Sequence, residues 1–121
     1  MGDTILERYG PARIAQVVSS FYGEVLQSPR LGPYFHDVPM RRLIDHQTMF
    51  MAMVLGGPQA FTADEIQIAH HQLRITRSDF DEMLRLLEAA LLRFDVEDEH
   101  TRMVLAGYQA LEEQVVAPPG E

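Results

Sequence analysis

Apolar residues recur at steps of three and four along nearly the whole chain, and no segment reads as a strand. That spacing places side chains on one face of an α-helix, so the pattern commits the chain to helices. Ile14, Val17, Val18, Phe21, Tyr22, Val25 and Leu26 form the cleanest such face. Met40, Leu43, Gln47, Phe50 or Met51, and Val54 form a second. Phe80, Met83, Leu84, Leu87, Leu91 and Phe94 give a third, and Met103, Val104, Tyr108, Leu111 and Val115 a fourth.

The punctuation between these stripes is regular. Asp3 can cap a short first helix that ends at Gly10, and Pro11 suits the first turn of the next, where its missing N–H would have no partner. Ser28-Pro29 opens a turn that runs to Tyr34-Phe35, Asp37 to Pro39 start the second stripe, and Gly56-Gly57-Pro58 stop it. Thr62-Ala63-Asp64-Glu65 reads as a capping box, which predicts a short helix from about Ala63 to His71. Ser78 and Asp81 begin the third long helix, and the last ends before Pro118-Pro119. The expected fold is all-α, with five or six helices in a single domain over residues 1–117 and a disordered tail over 118–121.

Composition removes whole classes of chemistry. The chain has no cysteine, so disulfides, iron–sulfur clusters and thiolate zinc sites are excluded. Its 18 acidic and 10 basic residues give a net charge of −8, and no basic stripe offsets it, which speaks against nucleic acid. No apolar run reaches the roughly 18 residues of a membrane span, and no basic amphipathic helix suggests membrane contact. The first residues lack a secretory pattern, so the expected location is cytoplasmic. There is no His-Glu-x-x-His, no Gly-x-Ser-x-Gly and no phosphate loop.

Function is best sought where a polar residue interrupts an apolar stripe, because burying it needs a reason. His70 shares a face with Ile66, Ala69 and Leu73, whereas Gln67, His71 and Arg74 fall on a polar face. His70 therefore looks inward. A lone inward histidine is most simply a core residue satisfied by a backbone carbonyl, but a neutral imidazole on an apolar face is also what a haem iron takes as its axial ligand. Gln47 sits mid-stripe where leucine would pack better, either at a helix edge or with its amide aimed into a dry pocket. Tyr22 shares the face of Val18 and Val25, and its hydroxyl needs a partner. His46, beside Gln47, can reach the same space or point to solvent. His36 and His100 stand in polar contexts and read as surface residues, while Met40, Met49, Met51, Met53, Met83 and Met103 read as core filler.

Taken together, Phe21-Tyr22, Pro33-Tyr34-Phe35, His46-Gln47, Leu55-Gly56-Gly57-Pro58, and Ala69-His70 before Ile75-Thr76 and Phe80 resemble the first group of truncated haemoglobins. The match runs from about Gly10 to Val116, in order and at the right intervals. It implies a two-over-two helical sandwich around haem b. His70 falls at the proximal iron ligand, and Phe35 at the aromatic that packs on the porphyrin. Tyr22 and Gln47 match the polar distal pair, and Leu43 a distal-helix position. Phe50, Phe80, Met83 and Leu87 are the further haem contacts, and His46 stands where some members carry a sixth iron ligand. The chain departs from the family in reducing its first Gly-Gly pair to Gly10-Pro11, and it has no histidine after His100 for covalent attachment.

The resemblance implies O2, NO and CO as ligands, for O2 binding and transport or for NO detoxification with an external reductase. Ligand sensing or electron transfer by a six-coordinate haem is the alternative within the family. Outside it, a haem-free helical interaction module accounts for the same stripes. The expected assembly is a monomer or weak homodimer.

Overall fold

The structure is a computed structural model that describes residues 5–57, 62, 65–66, 70 and 73–116. Helix α1 spans Ile5–Gln27 and is broken at Gly10, whose φ of 81° and ψ of 155° lie outside the helical region. An L side chain adopts that φ only with strain, so glycine is the residue the break needs. Pro11 follows directly, and its fixed φ restarts the helix. Beyond the break, Ile14, Val17, Val18, Tyr22 and Val25 turn into the core.

A turn closed by the Ser28 hydroxyl, which accepts from Leu31 N–H at 3.2 Å, leads into a 3₁₀ helix over Gly32–Phe35. Helix α2 covers Met40–Val54 and buries Phe50 and Met51. Gly56 then takes a φ of 104° and ends the run. The Leu55 carbonyl accepts from Leu6 N–H at 3.1 Å, which ties the end of α2 to the start of α1.

The capping box is present: Glu65 N–H donates to Thr62 Oγ1 at 3.2 Å, and Thr62 N–H donates to Glu65 Oε1 at 3.2 Å. Glu65, Ile66 and His70 are helical, and the remainder of the expected 63–71 helix lies outside the described residues. Helix α3 spans Arg77–Arg93. Its cap is Thr76, whose hydroxyl accepts from Asp79 N–H at 3.1 Å, and not Ser78 as the sequence suggests. Ser78 sits inside the first turn and accepts from Arg30 instead.

Helix α4 runs over Asp98–Gln109, and a separate short α5 over Glu112–Val115. The sequence reads these as one helix, because the stripe from Val104 to Val115 keeps its period across the break. The break falls at Ala110 and Leu111, and Val116 then pairs with Ile75 in an isolated bridge. No named strand forms among the described residues. The expected tail over 118–121 lies outside them.

Two helix pairs, α1 with α2 and α3 with α4, are joined by contacts between α1 and α3 and between α2 and α4. This is the expected two-over-two sandwich. Ile14, Val17, Val25, Leu31, Met51, Leu55, Leu91 and Val104 are fully buried between the pairs. Each such side chain contributes on the order of 1.5–3 kcal/mol relative to exposure.

Three stripe or filler residues fall outside the core: Leu26, Met49 and Met103 are exposed at 45%, 53% and 39%. Each helical residue turns about 100° from the last, so burying Val25, Phe50 and Val104 carries their neighbours to the flank. His100 is the opposite correction. It is buried, because it lies four residues before Val104 and eight before Tyr108 on the inner stripe of α4.

Candidate functional site

The sandwich encloses a cavity of about 310 Å³. Helix α1 brings Tyr22 to it, the 3₁₀ turn Phe35, and α2 Leu43, His46, Gln47 and Phe50. His70 enters from the capped segment, and α3 adds Phe80, Met83 and Leu87. All ten residues singled out in the sequence therefore face one space. Phe21, Val38, Ile66, Leu73, Ile75, Leu84 and Leu111 extend its apolar wall, and Tyr108 reaches it from α4.

His70 is half-buried, and its Nδ1 lies 2.7 Å from the Ile66 carbonyl oxygen, four residues back. A carbonyl oxygen only accepts, so Nδ1 carries a proton, and in the neutral ring the lone pair resides on Nε2. The backbone thus fixes both the ring and its tautomer, as it does for histidines that bind metals.

Tyr22 is buried against two aromatic rings, edge-on to Phe21 at 4.8 Å and to Phe35 at 5.7 Å between centroids. Burial pushes its ionisation well above the ordinary tyrosine value, so the phenol stays protonated. Tyr108 is raised for the same reason, with the nearby Tyr22 adding to the effect. The Tyr108 hydroxyl donates to Gln47 Oε1 at 3.2 Å. As a stripe residue Tyr108 carries no polar role in the sequence. Its position four residues beyond Val104, on the same face, is the signal that places it on the inner wall.

His46 lines the cavity although it is exposed, which puts it at the rim. His36 is exposed, beside Asp37. His100 lies elsewhere, with its Nδ1 2.5 Å from the Tyr9 hydroxyl and 3.6 Å from Glu97 Oε2.

The donor set discriminates between kinds of metal. Among the described residues no group of three or more side chains could cage a bare ion. An iron carried in a porphyrin needs only one axial imidazole within an apolar pocket. His70 and its surroundings fit that requirement.

The chain matches the model of the bacterial-like globin family over residues 4–117. It belongs to that family. This globin is 31% identical over 97 residues to a group 1 truncated hemoglobin of Tetrahymena thermophila, covering 79% of this chain and 80% of that one. A second group 1 truncated hemoglobin, from Tetrahymena pyriformis, is 30% identical over 115 residues, covering 86% of this chain and 95% of its own.

Solved structures agree. The Tetrahymena pyriformis truncated hemoglobin in its Fe(III) form superposes with a TM-score of 0.84 at 25% identity, covering 96% of this globin and 100% of that chain. The 2/2 hemoglobin of Synechococcus sp. PCC 7002, solved in the cyanomet state with covalently attached heme, superposes at 0.85 with 25% identity, covering 94% and 98%. The fold is that of a truncated globin, a family membership that implies haem-based ligand binding. Among the described residues no helix is long and apolar enough to cross a membrane.

Proposed function

We propose that this globin holds haem b through His70 Nε2 and binds O2, with NO and CO as further ligands, beside Tyr22 and Gln47. The observation that carries the reading is the Nδ1 hydrogen bond to the Ile66 carbonyl, which leaves the other ring nitrogen of His70 to an apolar cavity. The group itself supplies a coordination position for diatomic ligands and electron density that leaves O2 partly negative.

The chain's own residues do the rest. Phe35, Leu43, Phe50, Phe80, Met83 and Leu87 line the cavity with apolar surface and would hold the porphyrin and exclude water. A dry wall strengthens every dipole within it. Tyr22 O–H and the Gln47 amide N–H2 are the donors for a partly negative ligand, each stabilising it by roughly 1 kcal/mol or more. That effect slows escape more than it changes access, and it favours O2 over the less polar CO.

O2 binding and transport, and oxidation of NO to nitrate by O2 with a separate reductase restoring the ferrous state, would both use this pocket. A second reading, sensing or electron transfer, is favoured by one observation: His46 stands at the cavity rim, within the same space as His70. The deciding experiment is the visible spectrum of the purified protein with haemin, ferric and then reduced. A strong Soret band that disappears in His70→Ala establishes the site. A low-spin ferrous spectrum without added ligand assigns His46 as sixth ligand. A folded protein with no Soret band returns the chain to a haem-free helical module.

A further inference from the structure

We infer that Tyr108 is a positioning residue for the distal amide: its hydroxyl holds the Gln47 side-chain carbonyl, so that the amino end of Gln47 is the one presented to the ligand. The inference rests on the haem reading above and goes beyond it, because it adds helix α4 to the distal machinery.

An amide offers opposite chemistry at its two ends. With N–H2 toward a partly negative ligand Gln47 attracts it, and with the oxygen toward it Gln47 repels it. The choice is set by the 3.2 Å bond in which Tyr108 donates to Oε1. Among the described residues Gln47 Oε1 is the acceptor for that phenol proton. Flipping the amide would strand the proton in an apolar cavity, a loss comparable to a missing buried hydrogen bond. The phenol also remains a donor at any ordinary pH, since burial opposes its ionisation.

The ring is held in place independently of this bond. Phe50, one turn along α2 from Gln47, stands edge-on to Tyr108 at 4.8 Å. Gly107 brings the two helices together beside it: a Cβ there would lie 2.8 Å from Val54 Cγ1, so any larger residue would force the Val54 side chain or the helices to shift. Tyr108→Phe therefore removes the hydroxyl and keeps the packing.

The test uses the haem-loaded protein and two readouts, the O2 dissociation rate and the C–O stretching band of the ferrous CO form. It compares Tyr108→Phe, Gln47→Leu and the double variant. Tyr108→Phe is expected to raise the off-rate roughly three- to tenfold, the size of one lost neutral hydrogen bond. It should also split or broaden the C–O band, because both amide orientations become populated. In the Gln47→Leu background the same substitution should change neither readout. An equal effect in both backgrounds, or none in either, with a normal Soret band overturns the role of Tyr108 alone. Failure of the unsubstituted protein to take up haem overturns the functional reading and this role with it.

Discussion

The Tyr9 hydroxyl and His100 Nδ1 lie 2.5 Å apart with their rings at 87°, joining the turn before the Gly10 break to the first turns of α4. The same hydroxyl accepts from Glu97 N–H at 3.1 Å, so a single phenol anchors the start of α4. Neither residue faces the cavity. This contact closes the end of the sandwich formed by α1 and α4.

Tyr9→Phe keeps the ring and removes the hydroxyl that serves both His100 and the Glu97 amide. Leaving the buried His100 nitrogen without this partner costs about 1–3 kcal/mol. Chemical denaturation should show that loss, with ligand kinetics unchanged. Equal stability of variant and parent would show that the pair contributes nothing net.

Tyr22→Phe should raise the O2 off-rate by roughly 5- to 150-fold, corresponding to about 1–3 kcal/mol for a hydrogen bond to a partly charged acceptor. CO release should change much less. Because burial holds the Tyr22 phenol protonated well above its ordinary range, the parent off-rate should stay flat through mildly alkaline pH. An O2 off-rate that Tyr22→Phe leaves unaltered would remove the residue from the distal pair.

Asp79 sits in a small network that fastens the 3₁₀ turn to α3. Tyr34 donates to it at 2.6 Å and Arg30 at 2.9 Å. The Tyr34 hydrogen bond, followed by Arg30, holds the carboxyl below the usual aspartate range. A depressed folded value means the stabilisation is present above the unfolded value, near about 3.9, and disappears as pH falls through the folded one. Asp79→Asn should therefore be less stable than the parent at neutral pH, and the gap should close in acid. Denaturation midpoints across pH 2–7 would check it; a constant gap would falsify the linkage.

Gly107→Val forces a branched side chain against Val54, where even a Cβ would be 2.8 Å from Cγ1. Overpacking of this kind costs about 1–3 kcal/mol. Val54→Ala should recover part of that loss in the double variant, since it vacates the space. Purely additive effects would argue against direct contact between α2 and α4 at this point.

Much of the pocket was readable because polar interruptions of apolar stripes are visible one helix at a time. Tyr22, Gln47 and His70 each break a three-four rhythm, and all three face the cavity. The burial of His100 is hidden in the sequence for a physical reason: Asp98 and Glu99 make its neighbourhood polar, yet helical rotation carries those two outward and His100 inward. Tyr108 escaped notice because a tyrosine in an apolar stripe reveals its ring and not the partner of its hydroxyl. The cap at Thr76 was equally hidden, since Ser78 offers the same chemistry two residues later.

The helical class, the break at Gly10-Pro11, the Thr62–Glu65 cap and the inward faces are legible in the residues alone, because each depends on contacts within a few residues. Which inward residues meet depends on how the helices pack against one another. The 3.2 Å approach of Tyr108 to Gln47 joins positions 61 apart, and the Tyr9–His100 pair joins positions 91 apart. Such contacts depend on how closely helices pack, and here that distance is set by a glycine against a valine across α2 and α4.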